Sequence, residues 1–122
     1  MKAFNKDIGE FGEGISESYL KNSGYKILEK NFKCKCGEID LIASNDGCIC
    51  FIEVKTRYGT NFGMPSESVI FSKQHKINKT AQVYILRKNI NNWNFRFDVI
   101  EVILNSDNNE FSVNHIKDAF QV

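Results

Sequence analysis

The chain has 122 residues, of which 42% are hydrophobic and 25% are charged, and its formal net charge is +1. That length supports one domain with its own core, but not two. Because the net charge is close to zero, any contact with nucleic acid has to come from local clusters of basic residues. Residues 1–13 contain no apolar run, and the longest such run, residues 48–52, is too short to span a membrane. We therefore expect no secretory signal and a cytoplasmic location.

The first element predicted along the chain is a helix over residues 6–22. Apolar side chains recur there at spacings of three and four: Ile8, Phe11, Ile15 and Tyr19. This is the spacing of one face of an amphipathic helix, and Gly24 suits its C-terminal cap. Glycines at positions 9, 12 and 14 flank Glu13. They indicate a close approach of the backbone to a strand or a ligand, or else a frayed first turn that leaves Glu13 in solvent.

The next residues are predicted to form three strands. Residues 25–32 alternate as one strand, and residues 37–57 form a hairpin of two more. Asp46-Gly47 is a strong signal for a two-residue type I′ turn, in which both central residues have positive φ. With that turn, the numbers of opposed residues sum to about 93, which fixes the register of the hairpin.

This register brings four ionisable side chains together at the open end of the hairpin. Asp40 lies opposite Glu53, and Glu38 lies opposite Lys55, with opposed Cβ atoms roughly 5 Å apart. Two adjacent carboxylates repel unless a proton or a cation lies between them, and their hard oxygens suit Mg²⁺ or Mn²⁺. A cross-strand salt-bridge cluster on a solvated face explains the same pattern, so these residues alone leave both interpretations open.

The four cysteines occur as two Cys-x-Cys pairs. One face of the hairpin is wholly apolar and is predicted to be core: Ile39, Leu41, Ala43, Cys50, Ile52 and Val54. Zinc sites usually space paired cysteines by two or more residues. We therefore expect buried thiols rather than zinc ligands or disulfides. A zinc site is the alternative, and its ligands would be Cys34, Cys36, Cys48 and Cys50.

A polar loop over residues 58–66 and a second helix are predicted to follow the hairpin. The loop borders the carboxylates and is a candidate substrate contact. Ser72 is the expected N-cap of a helix that continues to about Lys88. Basic side chains form a stripe beside the apolar face of this helix: Lys73, Lys76, Lys79 and Arg87. Residues 68–97 contain no carboxylate, and this single sign favours contact with phosphate over an ordinary solvated face.

The last part of the chain is predicted to complete a sheet. Residues 93–104 alternate as a fourth strand, and residues 110–122 hold a weak last strand and a tail. A meander of three strands followed by a helix crossover to the fourth predicts an α/β fold, with a mixed sheet flanked by helices. The order is αβββαβ plus a C-terminal strand or tail. His115 stands alone in a polar context and is assigned no role.

Several of these segments together resemble a known family. They are Gly12-Glu13 with Tyr19-Leu20, Gly24-Tyr25, GEIDLIA at 37–43, FIEVKTR at 51–57, Gly63 through Val69, Lys73, and RFDVIEV at 96–102. In this combination nearly the whole chain resembles the YraN family of small, poorly characterised bacterial proteins (uncharacterised protein family 0102). Asp40, followed after a gap by Glu53-Val54-Lys55, is similar to the metal-site motif of the PD-(D/E)xK nuclease superfamily, although Ile39 rather than proline precedes Asp40.

The resemblance implies a single domain over residues 1–122 with a restriction-endonuclease-like fold. It also implies a divalent-metal-dependent nuclease that hydrolyses phosphodiester bonds, with Mg²⁺ or Mn²⁺ on Asp40 and Glu53. Lys55 and Glu13 are the other catalytic residues that it implies. Contacts with nucleic acid are expected from Arg57, Lys73, Gln74 and Lys76. The expected partner is DNA rather than RNA, and structured or branched DNA is included. No membrane partner is expected, and the formation of a homodimer is left undecided.

Two other functions compete with this one. A non-catalytic nucleic-acid-binding module of the same fold would usually have lost one of Asp40, Glu53 and Lys55, and all three are present. A zinc-stabilised protein-interaction domain would rest on the four cysteines alone.

Overall fold

The computed structural model describes residues 5–59, 71–105 and 107–121, with side chains from residue 7 onward. Its elements, in chain order, are α1 (Asn5–Asn22), β1 (Lys26–Cys34), β2 (Gly37–Asn45), β3 (Cys48–Tyr58), α2 (Phe71–Lys88), β4 (Asn94–Leu104) and β5 (Phe111–Phe120). Ser72, the predicted N-cap, lies inside α2. Two predicted stretches lie outside the described residues: residues 60–66 of the loop, and residues 63–69, which belong to the resemblance to the family. Neither α1 nor α2, the two helices of the described part, is long and apolar enough to cross a membrane.

All five strands form one sheet in the order β1-β2-β3-β4-β5. Neighbouring strands pair antiparallel except β3 and β4, which are parallel. A parallel pair cannot be joined by a tight turn and needs a crossover, which the segment containing α2 provides. The predicted α/β class, with a mixed sheet and two helices, is confirmed, and the architecture is compatible with a restriction-endonuclease-like core.

Each helix buries one face of the sheet. Leu41 and Ile52 belong to the core cluster that contains Leu20 of α1. Ile42 and Phe51 belong to the second core cluster, which packs against α2. These residues alternate along β2 and β3, as the pleat of a strand requires. The central strands are therefore buried on both sides, and polar residues among them need partners.

Ile39 departs from this alternation. The sequence pattern predicts it on the same face as Leu41, but it packs in the cluster beneath α2. Two features of the backbone accompany this departure. The ladder with β3 ends at Leu41, and Asn31 on the neighbouring strand β1 has a φ of 53°.

Gly12 lets α1 lie directly against β3. The buried line of the helix runs through Gly12, Ser16 and Leu20, which are four residues apart. A Cβ at position 12 would overlap the Thr56 hydroxyl, so the predicted close approach is confirmed there. Cβ atoms at positions 9 and 14 would meet nothing within 4 Å. Phe11, predicted on the buried face, is 54% exposed, because the line of closest approach passes through its glycine neighbour.

Candidate active site

The hairpin of β2 and β3 forms as its turn predicts. Asp46 and Gly47 have φ values of 50° and 74°, as a type I′ turn demands. Opposed residue numbers sum to 93 from the turn as far as the pair Leu41 and Ile52. The predicted register is therefore confirmed up to that pair.

Beyond that pair the hairpin opens at Asp40. The Val54 N–H donates to Asp40 Oδ2 at 2.8 Å, so a carboxylate oxygen takes the place of a strand carbonyl. Glu38 lies opposite Lys33 of β1, 3.9 Å away between charged atoms. The ladder between β2 and β3 ends at Leu41 and Ile52, so the predicted cross-strand pairs Asp40–Glu53 and Glu38–Lys55 are not formed in it.

Asp40 and Glu53 nevertheless come together through their side chains. Glu53 is only 8% exposed, and it is close enough to hydrogen-bond Asp40. Burial, followed by the charge of Glu53, raises the pKa of Asp40 to about 7. Two carboxylates in such close contact share a proton or attract a cation. The structure thus brings together the two acids that the register predicts as neighbours.

Lys73 supplies a positive charge to this pair. Its ammonium forms an ion pair with Glu53 Oε2. Partial burial acts to lower the pKa of Lys73, but the hydrogen bond and charge of Glu53, together with Asp40 and Glu38, raise it overall. The sequence predicts Lys73 as a phosphate contact, whereas the structure directs it at the carboxylate pair.

Glu13 lies at the border of the same site. Burial raises the pKa of this half-buried carboxyl group, although a hydrogen bond with the Asn31 side chain opposes the shift. The charges of Glu38 and Glu53 also act on it, and its own charge acts on Asp40. α1 therefore brings a third carboxylate into the electrostatic range of the pair.

Lys55 and Arg57 lie on the same face of β3 as Glu53, at alternate positions. Arg57 Nε lies 3.3 Å from Glu101 Oε2. Glu101 is 2% exposed and is the register partner of Lys55 in the parallel ladder. Glu101 is not among the residues that the sequence predicts for the site. Its signal was a lone carboxylate in the apolar strand pattern of residues 99–104.

The basic stripe of α2 is partly engaged within the protein. The Arg87 guanidinium lies 5.7 Å from the centroid of the Phe32 ring, which is a packing contact as much as a charged one. Lys76 and Lys79 are exposed, and Gln74 is half-buried beside them. A phosphate contact from this helix would therefore draw chiefly on Lys76 and Lys79.

The donor set of Asp40 and Glu53 fits a hard divalent cation. One carboxylate is fixed by the Val54 N–H, and the other already binds an ammonium. Mg²⁺ is commonly held by one or two carboxylates, while water and substrate phosphate complete its coordination. Within residues 5–59, 71–105 and 107–121, no three His, Cys, Asp or Glu side chains form a metal cluster. The pair offers two carboxylate ligands, and water and substrate would supply further ones.

The cysteines do not form one site. Cys34 pairs with Gly37 at one end of β2, and Cys48 pairs with Asn45 at the other. At roughly 3.3 Å per residue these ends are about 26 Å apart. A zinc site that uses all four cysteines is therefore excluded. The thiols are free, and full burial is found for Cys50 alone, so the expectation of buried thiols holds only there.

A second buried ionic cluster was not predicted. Asp98 is fully buried and accepts hydrogen bonds from Arg96 Nε at 2.9 Å, from the Asp118 N–H at 2.9 Å and from His115 Nε2 at 2.7 Å. Burial acts to raise the pKa of Asp98, but these donors lower it overall. The other ring nitrogen of His115 lies 3.2 Å from the Tyr19 hydroxyl. This network connects β5 to β4 and α1, and His115 therefore has a structural role that was not predicted.

Comparison with known proteins identifies a family. The family model described as "Uncharacterised protein family UPF0102" matches residues 12–102. A UPF0102 protein of Clostridium botulinum (strain Loch Maree / Type A3) is 63% identical over 123 residues, covering 100% of both chains. A UPF0102 protein of Clostridium tetani (strain Massachusetts / E88) is 54% identical over 122 residues, again covering 100% of both. The matched span includes every candidate site residue named above.

Proposed function

The chain belongs to the uncharacterised protein family UPF0102, and we propose that it is a divalent-metal-dependent nuclease that hydrolyses phosphodiester bonds. The observation that carries the proposal is the Asp40–Glu53 carboxylate pair at the mouth of the opened hairpin. Lys55 lies two residues beyond Glu53 on the same strand face. These three residues also match the motif of the PD-(D/E)xK nucleases, and we place the chain in that superfamily as part of the proposal.

The residues of the pair would have distinct roles in metal binding. Asp40 and Glu53 would hold Mg²⁺ or Mn²⁺, whose chemistry there is to polarise a phosphate oxygen and lower the pKa of bound water. Asp40 is aligned by the Val54 N–H. Since the pKa of Asp40 is about 7, this carboxyl group holds a proton part of the time at neutral pH and must release it to act as a ligand.

Positive and negative groups around the pair would complete the site. The Lys55 ammonium would orient the attacking water or stabilise the negative charge that develops on the phosphate. Glu13 would strengthen the negative potential that attracts a cation. Arg57, with Lys76 and Lys79 of α2, would contact neighbouring phosphates, since such contacts position a nucleic acid without reading its sequence. DNA is the substrate that we expect.

The test is cleavage of labelled duplex, flap, branched and single-stranded DNA, and of RNA, with Mn²⁺ or with EDTA. We expect the wild type to cleave at least one DNA substrate with Mn²⁺ and none in EDTA. Asp40→Asn should reduce the rate by about 100-fold or more, because a lost ligand weakens a metal contribution of several kcal/mol. Asp46→Asn, at the exposed turn of the same hairpin, is the matched control and should cleave as the wild type does.

Two results would contradict the proposal. Equal cleavage by the wild type and Asp40→Asn would point to a contaminating nuclease. DNA binding by the wild type without cleavage in Mn²⁺ would favour the non-catalytic binding module.

A further inference from the structure

The Lys73 ammonium contacts Glu53, one of the two candidate metal ligands. Lys73 stands near the start of α2 and reaches across to β3, where its Nζ contacts Glu53 Oε2. The two partners differ in exposure: the Glu53 side chain is 9% exposed and the Lys73 side chain 50%. A buried carboxylate is therefore neutralised by a side chain that comes in from the surface.

One ammonium leaves the carboxylate pair incompletely compensated. Lys73 contacts Glu53, whereas Asp40 is held by the Val54 N–H. A divalent cation between the two carboxylates would compensate both charges, which a single lysine does not.

Lysine is suited to be a counter-ion that leaves. Its ammonium is a compact charge on a flexible four-carbon stem. Release of Lys73 alone would leave the buried Glu53 without this counter-charge, whereas a divalent cation that takes its place supplies one. Lys73 also begins the basic stripe of α2, so once released it lies on the side where a phosphate would approach.

We propose that Lys73 is the resident counter-ion of the site: its ammonium holds the position at Glu53 that a divalent cation takes, and cation binding displaces it. The inference rests on the proposed function, because it takes the Asp40–Glu53 pair to be a metal site. It makes Lys73 a competitor of the metal ion, and so a determinant of metal affinity in the absence of substrate.

The test measures binding of Mn²⁺ alone to the full chain, by electron paramagnetic resonance of the free ion, without nucleic acid. Lys73→Gln removes the competing ammonium. Lys79→Gln removes the same charge from an exposed position on the same helix, so it controls for general electrostatics. We expect Lys73→Gln to bind Mn²⁺ about fivefold more tightly than the wild type, the factor that corresponds to a modest ion pair. Lys79→Gln should match the wild type.

Two further variants sharpen the comparison. Lys73→Arg keeps the positive charge, and the guanidinium group can form two parallel hydrogen bonds with a carboxylate. This variant should therefore bind Mn²⁺ no more tightly than the wild type. Lys73→Met keeps the aliphatic stem without the charge. It replaces Lys73→Gln in the test if circular dichroism shows that Lys73→Gln does not fold.

The outcomes separate this inference from the proposed function. Mn²⁺ affinity in the neutral variants equal to or weaker than that of the wild type would overturn the inference and leave the metal site standing. Failure of the wild type and both neutral variants to bind Mn²⁺ would refute the metal site itself, and the inference with it. Binding that appears only when Lys73 is neutralised would support the inference most strongly.

Discussion

Replacing Asp40 by asparagine should stabilise the metal-free protein, and the gain should grow with pH. In the folded chain the pKa of Asp40 is raised from its usual 3.8 to about 7, by burial first and by the charge of Glu53 second. Between these two values the unfolded chain gives up the proton while the folded chain keeps it. Stability is therefore lost as pH rises through that window. Asparagine removes the penalty and keeps an oxygen that can accept the Val54 N–H.

The magnitude follows from the size of the shift in pKa. A shift from 3.8 to about 7 corresponds to at most about 4 kcal/mol, at 1.36 kcal/mol per unit. For a chain of this size, each kcal/mol that is recovered raises the melting temperature by roughly 4 °C. The gain should be near zero below about pH 3, reach about 1 kcal/mol at about pH 4.5 and be largest above about pH 7.5, where the folded wild type is ionised.

The assay is thermal melting of the wild type and Asp40→Asn across this pH range in EDTA. Asp46→Asn, which replaces an exposed turn residue by one that suits the turn equally well, is the control. In saturating Mn²⁺ the wild-type midpoint should rise, as for any ligand that binds only the folded state, and the Asp40→Asn midpoint should not. A lower midpoint for Asp40→Asn at high pH, with no effect of Mn²⁺ on the wild type, would show that these acids serve a structural salt-bridge cluster.

Three further predictions follow from the packing and the charges. Gly12→Ala should lower the free energy of unfolding by about 1–3 kcal/mol, because the added methyl group would overlap Thr56. Gly9→Ala, which has open space around it, should raise that free energy by up to about 1 kcal/mol. Equal midpoints of the two variants in thermal melts would contradict the close packing of the helix. His115→Ala leaves buried Asp98 one donor short and should cost about 1–3 kcal/mol in urea unfolding; an unchanged midpoint would contradict that network. Mn²⁺ affinity, measured by titration, should fall about tenfold per pH unit below the pKa of Asp40; a flat profile would contradict deprotonation of that ligand.

Local sequence patterns were enough to predict much of the fold. The Asp46-Gly47 turn sets the register of the hairpin, and the period of two along β2 and β3 assigns most of their side chains to the correct face. These features depend on neighbours in sequence, so the sequence alone was enough to predict them. The register also predicted Asp40 and Glu53 as neighbours, although the ladder ends one pair earlier and their side chains make the contact.

The features that were missed depend on contacts between distant segments. Nothing near Asp40 in sequence indicates that its side chain would take the Val54 N–H and end the ladder. The direction of Lys73 depends on how α2 crosses the sheet, and the helical period does not give that. His115 gained its partner only because β5 pairs with β4.

The central claim, that Asp40 and Glu53 form a divalent-metal site for phosphodiester hydrolysis, is tested most directly by anomalous diffraction. Crystals would be grown with Mn²⁺ and a short oligonucleotide that carries a cleavage-resistant phosphorothioate. We predict an Mn²⁺ peak roughly 2.0–2.6 Å from oxygens of both carboxylates, with a phosphate oxygen as a further ligand and the Lys73 ammonium displaced from Glu53. A bound oligonucleotide with no peak between the carboxylates, and with Lys73 still on Glu53, would contradict it.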